Sequence, residues 1–308
     1  MFNVIEALRS PGIADILPSI RKFEIGELLF AYFTCPPTPA WEASWAEHDR
    51  LVHVATGSKT LKTATGTWEI APGDTIFLKK GACFLRHSDP DELCLFMYFI
   101  PDDFLRTAVR EMASDLPALP LPADTRDMLI RVRDDAGVQA FLQAMTVFFS
   151  TSDSPPELLL KLKLKELIAS IIVSSANATL SSYLRMLARN DAPSIPAIME
   201  ENCCHNLSLE AFAKLCHRSL STFKREFWQQ YAVAPGRWLL ERRLECAERL
   251  LTTTNMSVTD VVFECGFEQP SHFSRAFKAK YGRTPREYRG ARSPPFKERH
   301  RTDNSLVR

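Results

Sequence analysis

No apolar run in this 308-residue chain approaches the roughly 20 residues needed to cross a bilayer as a helix. The longest, Leu93 to Ile100, has the length of a buried strand. Met1 opens no signal-peptide pattern. The eight cysteines contain no C-x-x-C pair and no ligand-like spacing with histidine, and the adjacent Cys203 and Cys204 are poorly placed to bridge each other. A secreted disulfide scaffold is thereby excluded, and a reduced, cytoplasmic setting is expected. Free cysteines usually act as small hydrophobes, so redox sensing by Cys203 or Cys204 is the less favoured reading. No acid/base pair, nucleophile arrangement or Gly-rich phosphate loop points to catalysis, and no cofactor is expected.

Hydrophobic content of 45% and charged content of 24% are ordinary for a soluble globular protein with two or three domains. The net charge of +1 hides an asymmetry. Residues 193–308 carry 19 Lys/Arg against 13 Asp/Glu, and residues 1–192 carry 19 against 24. An acidic front and a basic back fit a chain whose back half meets phosphate.

The back half contains a duplication. Leu220 to Pro235 aligns with Pro270 to Pro285 at an offset of 50, pairing Ser221/Ser271, Phe223/Phe273, Arg225/Arg275, Phe227/Phe277, Tyr231/Tyr281 and Pro235/Pro285. The aromatics recur at i, i+4 and i+8, one stripe of an α-helix. Ser221, Thr222, Arg225, Trp228 and Gln229 fall on the opposite side, as do Ser271, His272, Arg275, Lys278 and Ala279 in the second copy. Each copy has a similar predecessor, Ser208 to Cys216 and Ser257 to Cys265, at an offset of 49, so the second turn holds one residue more. Ser208 and Ser257 suit an N-cap, and Glu210 and Asp260 suit a first turn. The pattern is helix, short turn, helix, twice over, with a polar second helix: two helix-turn-helix units.

These residues resemble the DNA-binding domain of AraC/XylS-type transcription regulators. The likeness covers about residues 193–291. It is carried by Leu209, Ala213 and Phe223-Lys-Arg-Glu-Phe227, and by Arg243-Leu244, Ala247 and Leu250-Leu251 in a connecting helix. In the second unit it is carried by Val258, Val261, Gly266-Phe267, Phe273-Ser-Arg-Ala-Phe277, Tyr281-Gly-Arg-Thr-Pro285 and Tyr288-Arg289. Three positions depart from the family pattern: His217 stands where Gly is usual, Ala232 where Gly282 stands in the second copy, and Val262 where a small Ala is usual. An alanine at a left-handed helix end costs about 1 kcal/mol relative to glycine.

Residues 20–105 read as short strands divided by Gly, Pro or Asp, with Ala71-Pro-Gly-Asp74 a strong turn, which predicts a small antiparallel barrel or sandwich. This resembles the cupin-like sensing domain found in front of many AraC-type regulators. Metal-binding cupins use an H-x-H pair. Here Glu47, His48, His53 and His87 form none, so no metal is expected. A ligand cavity is compatible with such a barrel, with Trp41, Trp45 and Trp68 as candidate lining residues. Residues 106–190 turn helical, with amphipathic Phe141–Phe149 and Leu158–Val173, and a Pro-rich break over Leu116–Pro122. The resemblance makes this region the expected dimerisation element. Asn177 to Pro196 reads as a tether, and 292–308 as a disordered tail.

Ile70-Ala-Pro-Gly-Asp74, Phe77-Leu-Lys-Lys-Gly81 and Ile100-Pro101 leading to Phe104-Leu105 further resemble the ExsA type of type III secretion activators, whose effector is a protein partner. The sequence therefore predicts an α+β chain: a cupin-like antiparallel β-barrel with a helical dimerisation segment, then an all-α domain (193–291) with two helix-turn-helix units (208–231 and 257–281). The expected function is a non-enzymatic DNA-binding activator. Its partners are double-stranded promoter DNA, RNA polymerase, a small-molecule or protein effector and a second copy of the chain. A cupin enzyme or ligand-binding domain with an appended DNA-binding module is the alternative. The residues expected on DNA are Ser221, Thr222, Lys224, Arg225 and Gln229, then Ser271, His272, Ser274, Arg275 and Lys278. Arg225 has the geometry for guanine and Gln229 for adenine, while the hydroxyls and lysine suit phosphate.

Overall fold

A computed structural model describes residues 1–35, 41–63, 65–87, 92–112, 127–151, 153–189 and 193–290. The chain divides into two compact units, one of residues 1–202 with 207–235, the other of 203–206 with the chain from Gly236 onward.

The first unit opens with β1 (Phe2–Asn3), α1 (Val4–Arg9) and α2 (Ile13–Ile16), followed by nine strands before the next helix. These are β2 (Arg21–Ile25), β3 (Leu28–Cys35), β4 (Glu42–Ala46), β5 (Asp49–Thr56), β6 (Lys59–Thr63), β7 (Gly66–Ile70), β8 (Thr75–Leu78), β9 (Gly81–His87) and β10 (Leu93–Ile100). A later strand, β11 (Leu129–Val132), completes two sheets, ordered β1-β4-β9-β6-β7 and β11-β8-β5-β10-β3-β2. The pairings are antiparallel apart from β1 with β4. The stretch from Phe23 to Phe33 is a hairpin, with Gly26 at φ +60 in the turn that reverses the chain.

The six-stranded sheet is buried on both faces, which is why Leu93–Ile100 is continuously apolar. Val52, Val54, Leu95 and Phe99 face the other sheet. Leu51, Phe96, Tyr98 and Ile100 face a helical layer made of α3 (Asp102–Glu111), α4 (Ala136–Ser150), α5 (Glu157–Val173) and α6 (Ala178–Arg189). Asp135 caps α4 by accepting from the Gly137 and Val138 N–H groups. The expected tether is corrected here: Leu180, Tyr183, Leu184 and Leu187 recur at i, i+3, i+4 and i+7 and bury α6 in this layer. The Leu116–Pro122 break, the 190–192 part of the tether and the 292–308 tail lie outside the described residues.

Between the two sheets, beneath α1 and α2, lies a cavity of about 510 Å³. Its walls are mostly aliphatic, including Leu61, Ile76, Leu95 and Met97, with Arg50 and Lys59 set into them. Trp41, Trp45 and Trp68 do not line it: Trp45 is buried elsewhere and Trp41 is 42% exposed.

The helical remainder comprises α7 (Ile195–Asn202), α8 (Leu209–Leu215) and α9 (Leu220–Tyr231), then α10 (Pro235–Thr253), α11 (Val258–Glu264), α12 (Pro270–Tyr281) and α13 (Pro285–Gly290). Among the described residues no single helix is long and apolar enough to cross a membrane.

Candidate nucleic-acid interface

Helices α8 and α9 form the first helix-turn-helix unit. Ser208 Oγ accepts from the Ala211 N–H (3.2 Å) and Ser219 Oγ from the Thr222 N–H (3.3 Å), so both helices start on a serine cap. Phe223 and Phe227 are fully buried, and the stripe continues as Phe227 stacks on Tyr231 with centroids 4.6 Å apart. Between the helices the Arg218 N–H donates to the Ala213 carbonyl (2.9 Å), which places His217 in the left-handed region at φ 53. Ala232 ends α9 at φ 52. His217 and Ala232, two of the three departures from the family pattern, therefore occupy the backbone conformation that glycine serves.

The second unit, α11 and α12, repeats this. Ser257 and Asp260 form a reciprocal capping box, with Ser257 Oγ accepting from the Asp260 N–H (3.0 Å) and Asp260 Oδ2 from the Ser257 N–H (3.3 Å). The Phe267 N–H donates to the Val262 carbonyl (3.1 Å), the counterpart of the 218–213 bond, and Gly266 takes φ 76. Phe273 and Phe277 are fully buried, and Tyr281 Oη donates to the Leu244 carbonyl (3.3 Å). α12 starts on Pro270 without a side-chain cap, so its first turn relies on the preset proline φ.

The selected residues lie on the outer faces. On α9 Ser221, Lys224, Arg225 and Gln229 are exposed and Thr222 is half-buried. On α12 Ser271, His272, Arg275 and Lys278 are exposed and Ser274 is half-buried. His272 tilts against Phe267, with ring centroids 6.0 Å apart. Among the described residues neither Arg225 nor Arg275 enters an ion pair, so each guanidinium keeps its donors for an outside acceptor. Trp228, 57% exposed and one turn from Arg225, widens the α9 face with an apolar surface, on the side where its helical position places it.

The turn of the first unit rests on a buried ionic cluster. Lys80, between β8 and β9, pairs with Asp102 at the start of α3; Arg106 Nη1 lies 3.5 Å from the same carboxylate. His217 Nε2 stands 3.6 Å from Asp102 Oδ2 and 3.4 Å from Lys80 Nζ. Asp102 is fully buried and both cations nearly so. Burial first, then the Lys80 charge, hold the His217 imidazole below its usual range, against the pull of Asp102. Nearby, Asp49 accepts from Tyr183 Oη (2.6 Å) and the Lys80 N–H (2.8 Å), and Asn202 Oδ1 accepts from the Ala82 N–H (2.9 Å).

This duplicated geometry agrees with two sequence families: a helix-turn-helix domain over residues 212–291 and the ExsA N-terminal regulatory domain over residues 49–183. The chain carries an AraC-type helix-turn-helix domain and an ExsA-type N-terminal regulatory domain. It is 27% identical over 252 residues to the virulence regulon transcriptional activator VirF of Yersinia enterocolitica, covering 82% of this chain and 93% of that one. It is 26% identical over 255 residues to the HTH-type transcriptional regulator ExsA of Pseudomonas aeruginosa, covering 80% and 88%. The solved structure of ToxT from Vibrio cholerae aligns over 85% of this chain and 98% of its own at 15% identity, with a TM-score of 0.39. The regulator thus joins an N-terminal regulatory domain to a helix-turn-helix DNA-binding domain, and its relatives are transcription regulators, not enzymes.

Proposed function

We propose that this regulator activates transcription in the cytoplasm by placing α9 and α12 in successive major grooves of promoter DNA, about 34 Å apart along the duplex. Arg225 and Gln229 read base edges in one groove, with Ser221, Thr222 and Lys224 on the adjoining phosphates. Arg275 reads in the other, beside Ser271, His272, Ser274 and Lys278. The observation that carries this reading is the repeated pairing of a fully buried Phe stripe with an exposed Ser/Arg face. RNA polymerase is the partner downstream. A second copy pairs through α4 and α5, in keeping with the exposure of Val147, Leu158 and Leu162.

The input is a small molecule held between the sheets. Arg50, 2% exposed, donates through Nη2 to Cys83 Sγ (3.3 Å), while its Nη1 has no hydrogen-bond partner among the described residues. A buried guanidinium in an apolar wall is costly unless it is paired, so the occupant carries an acidic group. For the DNA reading, Arg225→Ala lowers affinity for the specific promoter site by about 1–3 kcal/mol and leaves random DNA nearly unaffected, as read by fluorescence anisotropy. An equal loss on both would reduce Arg225 to a phosphate contact.

A further inference from the structure

The outer face of α9 carries one large side chain that the base and phosphate contacts above leave unused. Trp228 is 57% exposed, and among the described residues it is the large apolar side chain that the two recognition helices leave open to solvent. Its place is fixed by its neighbours in the chain. Phe223 and Phe227, both fully buried, lock the rotation of α9, and the Ala232 N–H donates to the Trp228 carbonyl (2.8 Å), so the residue sits in regular helix. At about 100° per residue, Ser221, Arg225 and Trp228 fall within about 60° of one another, on the side away from the phenylalanines. Arg225 and Trp228 stand about 4.5 Å apart along the helix axis, close to one base-pair step.

The duplication supplies an internal comparison. At the offset of 50 that pairs Arg225 with Arg275, Trp228 pairs with Lys278, and both side chains are exposed. At this place α12 offers an ammonium suited to phosphate, whereas α9 offers a broad apolar ring whose polar group is a single indole N–H. The apolar feature that a base pair presents in the major groove is the thymine 5-methyl group.

The geometry points to Trp228 as a specificity-determining residue that reads a thymine by covering its 5-methyl group with the indole ring, within about two base pairs of the guanine read by Arg225. This rests on the placement of α9 in the major groove proposed above and adds a third base contact to those of Arg225 and Gln229. Trp228 is the ninth residue of α9, two turns beyond Ser221. The N-terminal end of a recognition helix lies closest to the bases, so a long side chain is what still reaches a protruding methyl from there. The methyl and the exposed ring face leave water together, and the contact releases no counterion. Cytosine lacks the methyl and presents an amino group instead, so the ring favours T over C at that position.

The test measures fluorescence anisotropy of the full-length protein on its footprinted promoter site, with each thymine in the α9 half replaced in turn by deoxyuridine, which removes only the methyl. Wild type is expected to lose about 3- to 10-fold in affinity at one thymine, and Trp228→Ala to bind the unmodified site more weakly while being indifferent to that replacement. Trp228→Phe keeps part of the discrimination. Trp228→Lys, which copies α12, loses it and steepens the salt dependence by about one counterion. Unchanged urea midpoints show that these surface variants fold. The assignment is overturned if wild type senses no thymine methyl that Trp228→Ala ignores, or if Trp228→Ala loses equally on the site and on random DNA. Arg225→Ala on the same duplexes tells the two readings apart. If it still weakens specific binding, the thymine contact alone has failed; if it too is without effect, α9 does not lie in the groove.

Discussion

Replacing His217 with glycine separates strain from contact in the first turn. His217 sits at φ 53, where a side chain costs about 1 kcal/mol relative to glycine. Against that relief stands the loss of its neighbours. The 3.6 Å approach to Asp102 is too long for a hydrogen bond, and the 3.4 Å contact with Lys80 lies at the weak end, worth about 0.5 kcal/mol. The net expectation at pH 7.5 is a stabilisation of about 0.5 kcal/mol, a Tm rise of about 1–2 °C in a unit of this size.

The gain grows with acid. His217 is held below its ordinary range, so between its unfolded and folded values the unfolded chain binds the extra proton, and wild-type stability falls as pH drops through about 6.5. At pH 5.5 that penalty reaches at most about 1.4 kcal/mol, and less because the ring remains 28% exposed to screening solvent. His217→Gly lacks it. Differential scanning calorimetry at the two pH values reads both terms. A variant less stable than wild type at pH 7.5 would refute the reasoning, since His217 would then be an anchor and not a tolerated strain. A gain that stays flat with pH would show that the ring is not held neutral.

Ala232→Gly should add about 1 kcal/mol by chemical denaturation, because Ala232 ends α9 at φ 52 and the position offers glycine its preferred conformation. Asp102→Asn should cost about 3–5 kcal/mol, because it leaves Lys80, with 7% side-chain exposure, without its anion, while Arg106 keeps its pair with Asp103 (2.8 Å). The same variant should change promoter affinity more than Glu6→Gln, whose Lys214 contact is half-exposed and worth little.

The helix-turn-helix units are legible in sequence because their information is local and doubled. An aromatic stripe, a serine cap and a one-residue difference in turn length all survive in the backbone, down to the paired 218–213 and 267–262 bonds. The strands of the front half are legible as β-formers, while their order is not. β4 (Glu42–Ala46) and β11 owe their state to partners far away in the chain, β9 and β8, and carry no alternation of their own. α6 reads as a tether because Ser181 and Ser182 dilute its apolar stripe. Ser181 Oγ in fact donates to the Ile172 carbonyl (3.0 Å) and Ser182 Oγ to the Ala178 carbonyl (2.8 Å), so both hydroxyls are satisfied while the leucines pack. Arg50 escapes notice for a related reason. An inward position between Val52 and a buried aspartate looks like sheet edge until both sheets are in place.

The two helix-turn-helix units are copies in sequence but not in how they are held. In the second, Gly266 and Gly282 supply both left-handed residues without strain. In the first, His217 and Ala232 occupy the same two positions, which together disfavour the local backbone by about 2 kcal/mol. His217 also lies against Lys80 and Asp102, groups that belong to the β8–β9 connection and the start of α3. A strained turn in contact with another element is sensitive to where that element stands. On the proposed reading, an effector that engages Arg50 acts on β5, which is hydrogen-bonded to β8, the strand that leads into Lys80. On that reading the first unit, whose turn touches Lys80 and Asp102, is where the signal is expected to act. It follows that restoring glycine at His217 should weaken the dependence of promoter binding on effector while leaving binding itself intact. A variant that keeps its full effector response would place the coupling elsewhere.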